Sequence, residues 1–111
     1  MEGRESSAAR GYAELSAIAE HFHMQRDVTD AAHRLYKLAL THGFTRGRRV
    51  NQVAATCLYI VCRQENKPLM LIDFSDHLSV NVFALGSVYL QLLRLFRLDT
   101  YPVFTKPIDP R

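Results

Sequence analysis

The sequence VNQVAATCLYIVCRQ, from Val50 to Gln64, decides the fold of this 111-residue chain. Between Val53 and Val61 it contains only small, aliphatic and aromatic residues, and none of them is charged. A helix without a polar face has no side to turn toward water, so it is surrounded by other helices. No stretch of the chain alternates between apolar and polar residues for long enough to form a strand. The segment therefore predicts an all-α domain with a central third helix.

Four further helices are expected around this central one. Apolar residues recur at three- and four-residue spacing in the segments 8–22, 28–39, 71–78 and 82–98. Gly43 is well placed to end the second helix in a left-handed conformation. We predict a five-helix domain at 8–98. A flexible polar lead-in at 1–7 precedes it, and an extended, proline-containing connector follows at 99–111.

The composition argues against several classes of protein. A hydrophobic content of 48% supports a real core, and no apolar run is long enough to cross a bilayer. No signal peptide opens the chain, which predicts a soluble intracellular protein. Cys57 and Cys62 are five residues apart on one helix and point in different directions. We therefore expect buried free thiols rather than a disulfide or half of a zinc site.

Catalytic groups are not evident in the sequence. The histidines do not have metal-ligand spacing on one helix face: His21, His23, His33, His42 and His77. Asp73 and Asp76 resemble a carboxylate pair, but no second catalytic group accompanies them, so we interpret them as surface or capping residues. No nucleophile, phosphate-binding loop or cofactor motif is recognisable. We expect neither an enzyme nor a small-molecule substrate, and neither metal nor cofactor in this segment.

A basic turn before the central helix is the main candidate site. Arg46, Arg48 and Arg49 surround Gly47, in a chain whose formal net charge is +3. Positive side chains at a helix N-terminus are mildly unfavourable for the helix alone, which suggests a reason outside it. Together with the free N–H groups of the first helical turn, they would form an anion site suited to phosphate. The alternative is a solvated turn that contributes only to solubility.

Three stretches of the sequence carry a family resemblance. RGRRVNQVAATCLYIVCRQE, from Arg46 to Glu65, resembles the third helix of the transcription factor IIB (TFIIB) family, where a Gly-Arg pair leads into Cys-Leu-Tyr-Ile-x-Cys-Arg-Gln-Glu. LMLIDFSDHLSVNVFALG, from Leu69 to Gly86, is similar to the TFIIB-related factor of RNA polymerase III, the Brf subunit. TDAAHRLYKLAL, from Thr29 to Leu40, resembles the fungal members. Together with the flanking residues, the resemblance covers about residues 10–110.

The resemblance implies a fold, a function and partners. It implies a first cyclin-like repeat that acts in transcription initiation in the nucleus and binds the TATA-binding protein and promoter DNA. It also implies recruitment of RNA polymerase III and contact with a second cyclin repeat. The zinc ribbon and second repeat usual in the family are not in this sequence, and the connector at 99–111 leads toward where that repeat would follow.

The same resemblance points to particular DNA contacts. The matching Gly-Arg turn of TFIIB meets DNA beside the TATA element, which makes Arg46, Gly47 and Arg48 the foremost candidates. Arg49 and Lys67 are further candidates for contacts with the surrounding phosphates.

The fifth helix departs from the TFIIB pattern. Where TFIIB has Lys and Arg residues facing DNA and the TATA-binding protein, this chain has Val82, Phe83 and Ser87. Apolar residues outside the core stripe of this helix have two interpretations: Phe83, Leu90 and Leu95. They are either buried more deeply in the fold or form a docking surface for the second repeat or for polymerase.

Two alternative functions fit an all-helical domain of this size. A kinase-activating cyclin has the same fold, but it would need a Lys/Glu pair that joins the third and fifth helices to a kinase. Glu65 lies at the end of the third helix, and the fifth has no acidic residue until Asp99 just beyond it. The basic turn would also have no purpose in such a protein. A general helix-turn-helix DNA-binding protein would need a more polar fifth helix. Transcription initiation is therefore the preferred interpretation.

Overall fold

The computed structural model describes the backbone of residues 2–99 and the side chains of residues 7–97. It contains five α-helices: α1 (Glu2–His21), α2 (Arg26–Thr41), α3 (Val50–Gln64), α4 (Leu71–Leu78) and α5 (Val82–Asp99). No strand occurs in this part of the chain. The all-α prediction is confirmed, and α3 and α4 have the predicted bounds.

Helix α3 forms the centre of the domain. Nearly all of its residues from Val53 to Cys62 are buried, with Tyr59 only partly so. Helices α1, α2 and α5 pack directly against it, whereas α4 packs mainly on α5. The one buried hydroxyl on α3, that of Thr56, donates a hydrogen bond to the carbonyl oxygen of Val53 at 2.9 Å. The helix therefore carries no unpaired side-chain hydroxyl into the core.

Helices α1 and α2 approach closely at a glycine. Gly11 lies against the ring of Tyr36, which is fully buried. A Cβ atom at this position would lie 2.7 Å from Cδ1 of Tyr36 and closer still to Cε1 and Cζ. The absence of a side chain at Gly11 is therefore what allows the tyrosine ring to lie between the two helices.

At both ends of the chain the helices extend further than the sequence predicts. Residues 2–7, predicted to be a polar lead-in, belong to α1, which begins at Glu2 rather than near Ala8. Their polarity does not prevent this, because the segment contains no proline to interrupt a helix. Helix α5 ends at Asp99. Asp99, predicted to begin the connector, is therefore the last residue of α5. Residues 100–111, the rest of the predicted connector, lie outside the described residues.

Side chains define the start of α4 and of α5. Asp73 accepts a hydrogen bond from the backbone N–H of Met70 at 2.8 Å, at the start of α4. Asn81 caps α5 by accepting one from the backbone N–H of Phe83 at 2.7 Å. Ser79, between the two helices, has a left-handed φ of 57°. These local bonds satisfy backbone N–H groups that have no partner within the first turn of either helix.

Candidate nucleic-acid interface

The basic turn between α2 and α3 is built by two glycines in left-handed conformations. Gly43 and Gly47 both have φ of 72°, a region that residues with a Cβ rarely adopt. Gly43 ends α2 as predicted. Backbone bonds then tighten the turn, with the N–H of Arg46 donating to Gly43 and that of Arg48 donating to Thr45, both at 3.2 Å. The arginines therefore extend from a compact, hydrogen-bonded turn.

Arg48 ties this turn to α5. One Nη atom donates to the carbonyl oxygen of Phe44 at 2.7 Å, and the other donates to Oε1 of Gln91 at 2.6 Å. The guanidinium also lies 3.9 Å from the centre of the Phe44 ring, and Phe44 is itself buried. Charge-assisted bonds of this length and a cation–π contact are strong interactions for a partly exposed residue. Arg48 therefore positions the turn, and only its remaining N–H groups face outward.

Gln91 was not among the site residues predicted from the sequence. Its Oε1 accepts the bond from Arg48, and its Nε2 donates to Oγ of Ser87 at 3.4 Å, which orients the amide. Arg48 and Gln91 are 43 residues apart. No local signal in the sequence connects positions so distant, so only the packing of α5 beside the turn reveals the pair.

Arg46 and Arg49 differ from Arg48 because both are exposed. Among the described residues, neither guanidinium has an ion pair or hydrogen bond in the structure. Arg49 is the N-cap of α3, and the first turn of that helix carries no acidic residue. The partial positive charge of the helix end is therefore reinforced rather than neutralised by its surroundings. Gly47 lies exposed between these cations. Together they form a surface suited to an anion.

Lys67 lies far from this surface. It follows the C-terminal end of α3, whereas the basic turn precedes the N-terminal end, and a helix of 15 residues is about 22 Å long. Lys67 instead lines a cavity of about 300 Å³ whose wall is mainly apolar: Phe22, Met24, Val28, Cys62 and Leu69. The structure therefore does not bring Lys67 together with the other predicted phosphate contacts.

The three apolar residues singled out on α5 fall into two groups. Phe83 is 84% exposed and Leu90 is 58% exposed, so deeper burial does not explain them. Leu95 is partly buried and packs against the core, as the burial interpretation expected. Of these three residues, only Phe83 and Leu90 therefore remain available on the outer surface of the domain.

Cysteines and histidines do not form a metal site in the described residues. No group of three His, Cys, Asp or Glu side chains there is arranged to hold a metal ion. Burial raises the pKa of the Cys62 thiol to about 11, and it also raises the pKa of Cys57. Both are free and buried, as predicted. His21 and His77 stack with ring centres 3.8 Å apart, a packing contact between the ends of α1 and α4.

No helix in residues 2–99 is long and apolar enough to cross a bilayer.

Most of this chain is similar in sequence to known proteins. The family described as Transcription factor TFIIB repeat matches residues 4–95. The chain is 45% identical over 97 residues to the Transcription factor IIIB 60 kDa subunit of Schizosaccharomyces pombe, covering 87% of the chain and 20% of that protein. It is 38% identical over 103 residues to the 70 kDa subunit of Saccharomyces cerevisiae, covering 93% and 17%. The 90 kDa subunit of Homo sapiens is 38% identical over 93 residues, covering 84% and 14%.

These matches agree with the family resemblance seen in the third helix and in the segment after it. The relatives named are transcription factor subunits, and the chain spans a fifth or less of the length of each. The TFIIB repeat is a cyclin-like all-helical fold, which is the five-helix architecture found around α3. The chain therefore belongs to the TFIIB repeat family of transcription initiation factors, with relatives among the subunits of transcription factor IIIB.

Proposed function

We propose that this repeat binds promoter DNA beside the TATA-binding protein and helps to hold RNA polymerase III at the promoter in the nucleus. The observation that carries the proposal is the pair of exposed arginines, Arg46 and Arg49, on a compact turn at the N-terminus of α3. The names of the relatives, subunits of transcription factor IIIB, support the same biological setting.

The three arginines have different roles in this proposal. Arg46 and Arg49 supply charge to the DNA phosphates, and Gly47 lets the backbone come close to the groove. Arg48 is mainly a positioning residue, because Phe44 and Gln91 already accept two of its hydrogen bonds. Its other N–H groups remain for the DNA. Lys67 is left out of this surface because of its distance along α3.

The repeat would act as one part of a larger assembly. Contacts from a single turn provide position and salt-dependent affinity but little sequence discrimination, so the isolated repeat should bind DNA weakly. We assign a second surface, around Phe83 and Leu90 on α5, to a protein partner, and Leu95 is not part of it because it packs on the core. The second cyclin repeat and polymerase are the partners that the family suggests.

The DNA assignment can be tested by salt dependence. Binding of the chain to a complex of TATA-binding protein and promoter DNA would be measured by anisotropy over a range of salt concentrations. Each phosphate contact contributes roughly one unit to the slope of log K against log salt. The double substitution Arg46→Ala with Arg49→Ala should reduce that slope by about 2 and weaken binding at every salt concentration.

Lys67→Ala is the matched control, since it removes one exposed cation from the opposite end of α3. Its slope should equal that of the parent chain. An unchanged slope in the double variant, or an equal loss in Lys67→Ala, would show that the turn is not the DNA surface.

A further inference from the structure

The outward face of α5 carries apolar side chains where water is expected. The core side of the helix is formed by Leu85, Val88, Leu92 and Phe96. Phe83 and Leu90 lie on the opposite side, seven residues and therefore about 10 Å apart along the helix axis. Because its side chain is 84% exposed, Phe83 contributes almost no apolar burial to the stability of the isolated domain. Both residues are one above the other on a single exposed stripe.

A shallow groove runs beside this stripe, between the first turn of α4 and α5. Its lining is largely apolar: Leu71, Val82, Phe83, Gly86, Ser87, Tyr89 and Leu90. Leu71 contributes from α4, which packs directly against α5. The groove is thus part of the folded domain and needs no rearrangement to form.

Gly86 lies in the middle of this groove and is not required by the fold. Glycine inside a helix is less favourable than alanine by about 1 kcal/mol. A Cβ at Gly86 would meet only Leu71, at an ordinary contact distance of 3.6 Å, so the domain has space for a larger residue. At Gly11, by contrast, the packing of Tyr36 requires glycine. A glycine at position 86 is explained if another molecule approaches the backbone of α5 there.

The same face of α5 carries positively charged side chains toward the C-terminal end of the helix. Arg94 and Arg97 follow Leu90 by four and seven residues, which places them on the stripe of Phe83 and Leu90. Both arginines are exposed, and the sequence has no acidic residue between Val82 and Leu98. The surface is therefore apolar in its first half and basic in its second half.

We infer that this groove binds an amphipathic helix of a partner protein. The partner helix presents aliphatic side chains on successive turns to Phe83 and Leu90, with its backbone close to Gly86. Its carboxylates, one or two turns further along, pair with Arg94 and Arg97. Apolar anchors at helical spacing in a preformed groove are the usual mode of helix recognition, and the charges set the orientation.

This inference names the chemistry of the protein partner in the proposed function, but it does not depend on the DNA contact. DNA phosphates have no favourable interaction with Phe83 or Leu90. The basic turn lies on the other flank of α5, where Gln91 meets Arg48. A peptide-binding measurement without DNA therefore tests the groove separately from the turn.

The test uses three alanine-based helical peptides of about 18 residues. The first carries leucines at three- and four-residue spacing followed by glutamates. The second has lysines in place of the glutamates, and the third has serines in place of the leucines. Binding to the chain would be measured by fluorescence anisotropy. The glutamate peptide should bind at least about tenfold more tightly than either of the others.

Variants of the chain locate the site. Gly86→Gln fills the groove with a good helix former, so it should weaken binding by about tenfold or more while circular dichroism shows an intact fold. Ala84→Gln adds the same side chain on an exposed position of α5 away from the groove and should leave the affinity within about twofold. Arg94→Glu should shift the preference from the glutamate peptide toward the lysine peptide.

Several results would overturn the inference. These are equal binding of the leucine and serine peptides, equal effects of Gly86→Gln and Ala84→Gln, or no change in preference with Arg94→Glu. Self-association of the parent chain in sedimentation that Phe83→Ser abolishes would instead assign the groove to a second copy. Loss of DNA binding in Gly86→Gln without loss of peptide binding would assign it to nucleic acid.

Discussion

Replacing Gly11 by alanine tests the packing of α1 on α2 most directly. The new Cβ would lie 2.7 Å from Cδ1 of Tyr36, and closer to two other ring atoms, whereas carbon atoms in contact are about 3.5–4 Å apart. The ring must therefore retreat by more than about 1 Å. Because Tyr36 has no exposed surface, it cannot move into solvent. The clash must instead separate α1 from α2 or distort the ring's rotamer.

The size of the effect follows from two opposing contributions. Overpacking of a well-filled core costs about 1–3 kcal/mol, and the rigid ring at Tyr36 puts Gly11→Ala toward the upper end. Alanine in place of glycine within a helix recovers up to about 1 kcal/mol. We expect a net loss of about 2 kcal/mol in the free energy of unfolding, or roughly 8–12 °C in Tm for a domain of this size.

Gly86→Ala is the matched control for this prediction. It is the same substitution inside a helix, but its Cβ meets only Leu71 at 3.6 Å. It should therefore stabilise the domain by about 0.5–1 kcal/mol. In a Tyr36→Leu background, Gly11→Ala should lose most of its unfavourable effect, because the ring that it meets has been removed.

Urea unfolding followed by circular dichroism would give these free energies. If Gly11→Ala is as stable as the parent, or is stabilised as much as Gly86→Ala, the close contact of Gly11 with Tyr36 does not exist. An equal loss in the Tyr36→Leu background would equally contradict the stated cause.

Two further predictions concern Arg48 and a pair of histidines. Arg48→Met keeps most of the aliphatic stem but removes the bonds to Phe44 and Gln91, so urea unfolding should show a loss of about 1–2 kcal/mol. Arg46→Met should show almost none, and equal losses would contradict the positioning role. Desolvation and the neighbouring His21 lower the pKa of His77, so the unfolded chain binds more protons below about pH 6.5. Stability should therefore fall as the pH is lowered from 7 to 5, and His77→Gln should reduce the fall in Tm. An identical pH profile in that variant would contradict this cause.

Local sequence was sufficient for most of the helices. The bounds of α3 were predictable because its apolar residues occupy every side of the helix and polar residues flank it at both ends. Gly43 was identifiable as a helix terminator for a similarly local reason, the ease of left-handed conformations in glycine. The start of α1 was not predictable, since polar residues without proline are compatible with either a helix or a coil.

Contacts between distant parts of the chain were decided only by the tertiary structure. The sequence alone determined an all-helical TFIIB-type repeat with a basic turn before its central helix, because periodicity and motif order are local properties. It did not determine that Arg48 is held by Gln91, that Lys67 lies at the opposite end of α3, or that Phe83 is exposed while Leu95 is packed. Each depends on how helices that are far apart in sequence lie against one another, and side-chain chemistry at a single position carries no information about that arrangement.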